Sequence, residues 1–166
     1  MNKQRSVIFI TGMSGSGKSS VIVALREKGY RAVDTDTDEW CEWVKDEGGE
    51  PDWVWREDAI SNLLETHTTE LLFVCGCKTN QGKFYDRFDR IVLLHAPTEI
   101  LLKRIETRTN NPYGKSAEDR RLVLKYIMEV EPVLRIGATD VIETDCPLSD
   151  VVAKIETVSK NSASDQ

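Results

Sequence analysis

Residues 6–20 read Ser6-Val7-Ile8-Phe9-Ile10-Thr11-Gly12-Met13-Ser14-Gly15-Ser16-Gly17-Lys18-Ser19-Ser20, and this stretch decides the fold. Its first six residues form an apolar, β-branched run with no polar alternation, as in a strand buried on both faces. Gly12 to Ser19 then satisfies G-x-x-x-x-G-K-[ST] at every fixed position. Residues 18–28 follow with Ile22 and Leu25 one helical turn apart, and Gly29 stands where a helix C-terminus needs it. Strand, glycine-rich turn and helix together make a phosphate cradle. Gly12, Gly15 and Gly17 let the turn, with Met13, Ser14, Ser16 and Ser20 around them, aim backbone N–H groups at phosphate oxygens. The helix N-terminus adds partial positive charge. Lys18 is placed for the β- and γ-phosphates, and the Ser19 hydroxyl for a Mg²⁺ shell. ATP or a similar nucleotide, with Mg²⁺, is the expected ligand.

Outward from the cradle, strand and helix patterns alternate. Residues 31–34, 71–75, 91–95 and 140–143 are apolar runs of strand length. Residues 98–107 place Leu101, Leu102 and Ile105 on one helix face, with Thr98 as the expected N-cap. Val123, Ile127, Val130 and Leu134 repeat at helical spacing, with Pro132 expected to kink or interrupt the run. Val151, Val152, Ile155 and Val158 mark a closing helix, and residues 160–166 read as a disordered polar tail. Such alternation predicts a three-layer α/β/α fold on a five-stranded parallel sheet, as one domain over residues 1–159.

The chain has 166 residues, 40% of them hydrophobic and 30% charged, with a net charge of −6, as in a soluble globular domain. The negative balance argues against general nucleic-acid binding. No apolar run approaches the ~20 residues that cross a bilayer, and the expected location is cytoplasmic. Cys41, Cys75, Cys77 and Cys146 fit neither a zinc pattern nor CxxC and are expected to be reduced.

Motor, AAA and transporter ATPases carry an acid at the end of a later strand, but residues 70–75 and 90–95 end in Cys75 and His95. Carboxylates appear instead in Asp34-Thr35-Asp36, after the second strand and on the sheet edge from which the cradle emerges. One could hold Mg²⁺ through water, a role given to Asp34, and the other could orient or deprotonate an attacking hydroxyl. A capping role for one of them is the alternative.

With these motifs the chain resembles small-molecule P-loop kinases of the shikimate kinase, gluconate kinase and nucleoside monophosphate kinase group. Gly17-Lys18-Ser19, Asp34-Thr35-Asp36, Gly49-Glu50, Trp55-Arg56 and Val74-Cys75-Gly76 carry the likeness. It implies an ATP-dependent phosphotransferase with catalytic Lys18, Asp34, Asp36 and Arg108. It implies an acceptor-binding subdomain over residues 36–68, with Asp36, Arg56 and Gly76 at the acceptor. It also implies a lid over residues 108–118, with Arg104 and Arg108 on the nucleotide. The adenine would lie near Thr144-Asp145-Cys146-Pro147.

Residues 103–125 hold seven cationic and three acidic side chains, a local +4 suited to a phosphate-closing loop. Residues 34–58 hold eleven acids against Lys45 and Arg56, together with all four tryptophans. Acidic groups and indole faces favour an uncharged or cationic acceptor with a hydroxyl over a nucleoside monophosphate. The alternative is that two or three tryptophans anchor the subdomain and the acids are its solvated face. Lys78, Asn80, Gln81 and Lys83 could line the acceptor site or form a surface loop. His67 reads as a capping or surface residue, and His95 as a packing one. A nucleoside monophosphate kinase and a nucleotide-binding regulator of little turnover are the competing readings. A monomer or homodimer is expected.

Overall fold

The computed structural model describes residues 5–162. In chain order it holds β1 (Ser6–Thr11), α1 (Lys18–Glu27), β2 (Arg31–Asp34), β3 (Cys41–Lys45), β4 (Pro51–Trp55), α2 (Glu57–Thr66) and β5 (Leu71–Cys75). A 3₁₀ turn over Gln81–Arg87, β6 (Arg90–His95), α3 (Thr98–Thr107), α4 (Ala117–Glu129), α5 (Glu131–Gly137), β7 (Asp140–Glu143) and α6 (Leu148–Ser162) follow. No described helix is long and apolar enough to cross a membrane.

Five strands form one parallel sheet in the order β2-β5-β1-β6-β7. Side chains of β1 alternate between its two faces, and the core divides accordingly. Ile8 and Ile10 pack with Val21, Ile22 and Leu25 of α1 and Val151, Val152 and Ile155 of α6. Val7 and Phe9 face the other way, toward Trp55, Ile60, Leu63, Phe84 and Phe88. Phe9 stacks on Phe88 at 4.8 Å and meets Trp55 edge-on at 5.4 Å. Register fixes the working edge: Cys75 pairs with Ile10 on one side and Asp34 on the other. Asp34 therefore lies two strands, roughly 10 Å, from the strand that feeds the cradle.

Two local readings change, and the interruption expected at Pro132 is found. Residues 41–55 form an antiparallel hairpin with Cys41 opposite Trp55 and Trp43 opposite Trp53, a two-stranded sheet the sequence did not signal. Its turn closes through Gly49 N–H to Asp46 O, at 2.9 Å. The cap of α3 is Pro97 and not Thr98, which is already helical. Pro132 falls in the first turn of α5, where its missing N–H costs nothing, and so it separates α4 from α5.

The closing helix runs to Ser162, past the expected start of the tail at Lys160, with the Ser159 and Ser162 hydroxyls bonded back to Ile155 and Ser159 carbonyls. The rest of the expected tail, residues 163–166, lies outside the described residues. The four cysteines carry free thiols, Cys41 and Cys75 fully buried. His67 caps the C-terminus of α2 and is buried, not a surface group.

Candidate active site

The glycine-rich turn leaves β1 at Thr11 and enters α1 at Lys18. Gly15 has φ 82°, and a Cβ there would stand 2.9 Å from the Leu101 carbonyl oxygen and 3.1 Å from Ile105 Cγ1. The turn is thus packed against α3 so closely that only glycine fits. Ser16 N–H closes it on Met13 O at 3.0 Å, and Val21 N–H starts the helix on Gly17 O at 3.0 Å. The Met13 side chain turns into the core with Leu93, Leu101 and Leu134, so only its backbone belongs to the cradle.

Lys18 Nζ lies 2.5 Å from Gly12 O, 3.0 Å from Met13 O and 3.5 Å from Ser16 Oγ. Burial pushes its pKa down, while Cys77, Cys75 and Asp36 push it back up. An ammonium held on carbonyls inside the turn is poised to serve anionic oxygens with little change of position.

A cavity of about 520 Å³ opens over the turn. Ser14 to Val21 form its floor, Asp36 stands on one side, and Arg104, Arg108, Asn110 and Asn111 stand on another. Thr144, Cys146, Leu148 and Val151 complete it, so the loop after β7 expected at the adenine does reach the cavity wall. Ser19 and Ser20 are exposed into it.

The two arginines expected on the nucleotide do different work here. Arg104 spends its guanidinium on Gly15 O (3.2 Å), Thr144 Oγ1 (2.9 Å) and Thr144 O (2.7 Å), tying the cradle to the loop after β7. Arg108, just past α3, bonds Ser14 Oγ at 3.3 Å and the carbonyls of Asn111 and Tyr113 at 3.2 and 2.7 Å. It therefore braces residues 108–116 against the cradle. Ser116 caps α4 by accepting Asp119 N–H at 3.0 Å.

The carboxylates separate as well. Asp34 Oδ1 accepts the Asp36 N–H at 3.0 Å, an Asx turn that shapes the backbone, and Asp34 does not line the cavity. Asp36 does. Its Oδ1 takes Lys78 Nζ at 2.5 Å and the Trp53 indole N–H at 3.2 Å. Burial works to raise its pKa, but Lys78, Trp53 and Lys18 outweigh it and hold the carboxyl below the usual range.

Two residues assigned to the acceptor lie elsewhere. Arg56 donates to Asp38 O at 3.1 Å and Glu42 Oε2 at 3.3 Å. It lines a separate cavity of about 550 Å³, with Glu57, Asp58, Asn80 and Lys83, that shares no lining residue with the first. At Gly76 the face a Cβ would use is filled by the Thr35 hydroxyl, with Trp55 Nε1 at 3.6 Å, so the glycine serves packing.

The sequence reading had no signal for Thr35. Its hydroxyl donates to Cys75 O at 2.7 Å and accepts Trp55 Nε1–H at 2.8 Å, joining the strand edge to the hairpin. Lys78 and Gln81, left between site and surface, are both structured: Gln81 is buried and Lys78 reaches Asp36. His95 sits between Glu143, at 2.8 Å, and Glu131, at 3.2 Å, fastening α5 to the sheet.

Comparison with known proteins agrees with this fold. The family model described as AAA domain matches residues 8–125. Shikimate kinase of Pseudomonas syringae pv. tomato is 30% identical over 149 residues, covering 83% of this chain and 86% of its own. Shikimate kinase of Chlorobium chlorochromatii is 27% identical over 132 residues, covering 74% and 70%. Among solved structures, shikimate kinase from Acinetobacter baumannii in complex with shikimate superposes with a TM-score of 0.66 at 20% identity, covering 94% of this chain and 93% of that one. β5 and β6 end in Cys75 and His95, and the missing acid there does not separate this chain from the family described as AAA domain. The chain belongs to this P-loop family and, within it, to the shikimate kinase group of small-molecule kinases.

Proposed function

We propose that this protein transfers the γ-phosphoryl group of ATP to a hydroxyl of a small molecule that is uncharged or cationic. The observation that carries the reading is the single cavity in which Lys18, Arg108 and Asp36 converge over the phosphate-binding turn. In the transfer, the acceptor oxygen bonds to the γ-phosphorus, the bond to the ADP oxygen breaks, and the hydroxyl proton passes to solvent water as the new bond completes. Asp36 orients that hydroxyl by accepting its hydrogen bond. Its depressed pKa makes it a better orienter than base. Lys18 and Arg108 meet the phosphate oxygens, and residues 108–118 act as the lid that excludes water.

The donor set suits Mg²⁺, a hard cation that takes oxygen ligands and keeps its waters. Ser19 Oγ, exposed into the cavity, would hold it directly, whereas Asp34 stands outside the cavity lining and would contribute only through an intervening water; its chemistry would be to neutralise the β- and γ-phosphate oxygens. Two facts support an acceptor that is not an anion. Arg56 is paired with Glu42 and stands outside the cavity, and Lys78 is paired with Asp36.

Acceptor-dependent ADP release over a metabolite panel tests the reading. Turnover is expected with a neutral or amino-substituted polyol, sugar or nucleoside. Turnover only with shikimate, or only with nucleoside monophosphates, would overturn the acceptor class.

A further inference from the structure

Asp36 is exposed to the cavity, with its side chain 63% accessible, but its partner is not a surface lysine. The Lys78 ammonium lies 2.5 Å from Asp36 Oδ1 and 6.0 Å from the Trp53 ring centroid, and the Lys78 side chain is only 10% exposed. A lysine that has given up so much solvent is not the usual surface partner, whose pairing contributes almost nothing. Its backbone is fixed too. Lys78 N–H donates to Gln81 Oε1 at 2.8 Å, and Gln81 Nε2 reaches Thr11 Oγ1 at 3.3 Å and the Tyr85 hydroxyl at 2.9 Å. Thr11 is the last residue of β1 before the phosphate-binding turn. Lys78 is therefore built into the same edge that positions the nucleotide.

Both donors take Oδ1, and Oδ2 is the oxygen to which an acceptor group can donate. A lone carboxylate there would hold an ammonium as readily as a hydroxyl, or more so. Asp36 stays ionised, but with Lys78 it forms a pair of no net charge, and an incoming cation meets the Lys78 ammonium and the nearby charge of Lys18. Among the other titratable groups of this region are Asp34 on β2, Arg56 after β4 and the Cys41 thiol on β3, which burial pushes up to about 11 and so keeps neutral.

We propose that Lys78 is a specificity-determining positioning residue: holding Oδ1 of Asp36, it shapes a seat for a neutral hydroxyl and excludes acceptors that present an ammonium there. This rests on the phosphotransferase reading and narrows its acceptor class from neutral or cationic to neutral.

The Trp53 indole N–H, bonded to the same oxygen, is a reporter that needs neither ATP nor acceptor. In ¹⁵N-labelled protein at neutral pH its resonance, assigned with Trp53→Phe, reports the bond to the oxygen that it shares with the Lys78 ammonium. Lys78→Met should shift that resonance, and Lys78→Arg should return it toward the wild-type position. Lys78→Gln serves if the Met variant does not fold. A resonance unmoved by loss of the ammonium overturns the proposal.

The second readout is ADP release on matched pairs, a hexose beside its hexosamine and a cyclitol beside its amino derivative. The wild type should prefer the neutral member of the pair it accepts, and Lys78→Met should cut that preference at least about tenfold. An unchanged preference, or a wild-type preference for the amine, also overturns it. Absence of acceptor-dependent ADP release on every compound, shikimate included, overturns the phosphotransferase reading itself, whereas the indole resonance decides the Lys78 contact independently.

Discussion

Lys18 and the two aspartates carry the sharpest expectations at the scale of single residues. Lys18 bonds only to groups of the turn that it bridges, Gly12 O, Met13 O and Ser16 Oγ, so its charge serves the cradle and not the core. Lys18→Met should abolish phosphoryl transfer in an ADP-release assay while the thermal transition stays sharp and two-state. Lys18→Arg should not restore turnover, because a planar guanidinium cannot enter a pocket shaped for a compact ammonium. Retained turnover in the Met variant would remove the kinase reading. The aspartates should now behave unequally. Asp36→Asn removes the charge that aligns the acceptor, and kcat should fall about 10²–10⁴-fold with nucleotide affinity almost unchanged. Asp34→Asn keeps an oxygen able to accept the Asp36 N–H, so a smaller loss is expected, seen mainly as a raised Mg²⁺ requirement. Equal effects would mean that the charge of Asp34 matters as much as the cavity-facing carboxylate, since the Asx turn survives in the Asn variant. Separate measurement of kcat and of ATP affinity distinguishes the two.

At the scale of elements, the strands and the phosphate-binding turn were legible because buried parallel strands are continuous apolar runs and the turn needs fixed residue types. Ser6–Thr11, Arg31–Asp34, Leu71–Cys75 and Asp140–Glu143 form the sheet as their sequence suggests. The β3–β4 hairpin was not legible. Its strands are short, half-solvated and acidic, and their tryptophans face different partners: Trp43 is 68% exposed while Trp55 is 1% exposed. Nothing in periodicity distinguishes an indole that anchors from one that covers. The direction of Arg56 was not legible for a related reason. A motif fixes its place in the chain, but at the junction of β4 and α2 its guanidinium reaches Glu42 and does not line the cavity over the phosphate-binding turn. Trp55 is the anchor, packed on Phe9 and Phe84 and bonded to Thr35. Trp55→Ala should therefore destabilise the protein by about 3–5 kcal/mol. Trp55→Phe, which leaves Thr35 Oγ1 without that donor, should cost about 1–3 kcal/mol. Urea unfolding measures both, and a Trp55→Ala effect below about 1 kcal/mol would show that the hairpin folds as an independent appendage.

For the whole molecule, charge is segregated: the hairpin region is acidic, the segment around residues 103–125 is basic, and the cavity lies between them. Such a layout steers a polyanionic nucleotide toward the arginine side, yet contributes little to stability, since most of these groups stay in water. The charges that bind elements together are few. Glu156 of α6 accepts from Lys28, just after α1, and from the Tyr30 hydroxyl at 2.7 Å, clasping the first helix to the last. Lys28 first, then Tyr30, hold its carboxyl below the usual range, and Asp36 is likewise depressed, with Lys78 as the chief opposing force to burial. The sign follows from linkage. A carboxyl more acidic in the folded than in the unfolded chain favours folding above its unfolded pKa, and that stability is lost as the pH falls through the folded value. Stability should therefore be flat near neutrality and decline on acidification below about pH 4.5, the unfolded glutamate range. Glu156→Gln should flatten the decline and lower stability at pH 7 slightly, because Lys28 is half exposed and part of its pairing is screened. Urea midpoints taken at a series of pH values give the slope directly. If the Gln variant kept the wild-type acid slope, the clasp between the first and last helices would not contribute to acid sensitivity, and Asp36 and Glu57, the latter held down by Lys83, would be left to account for it.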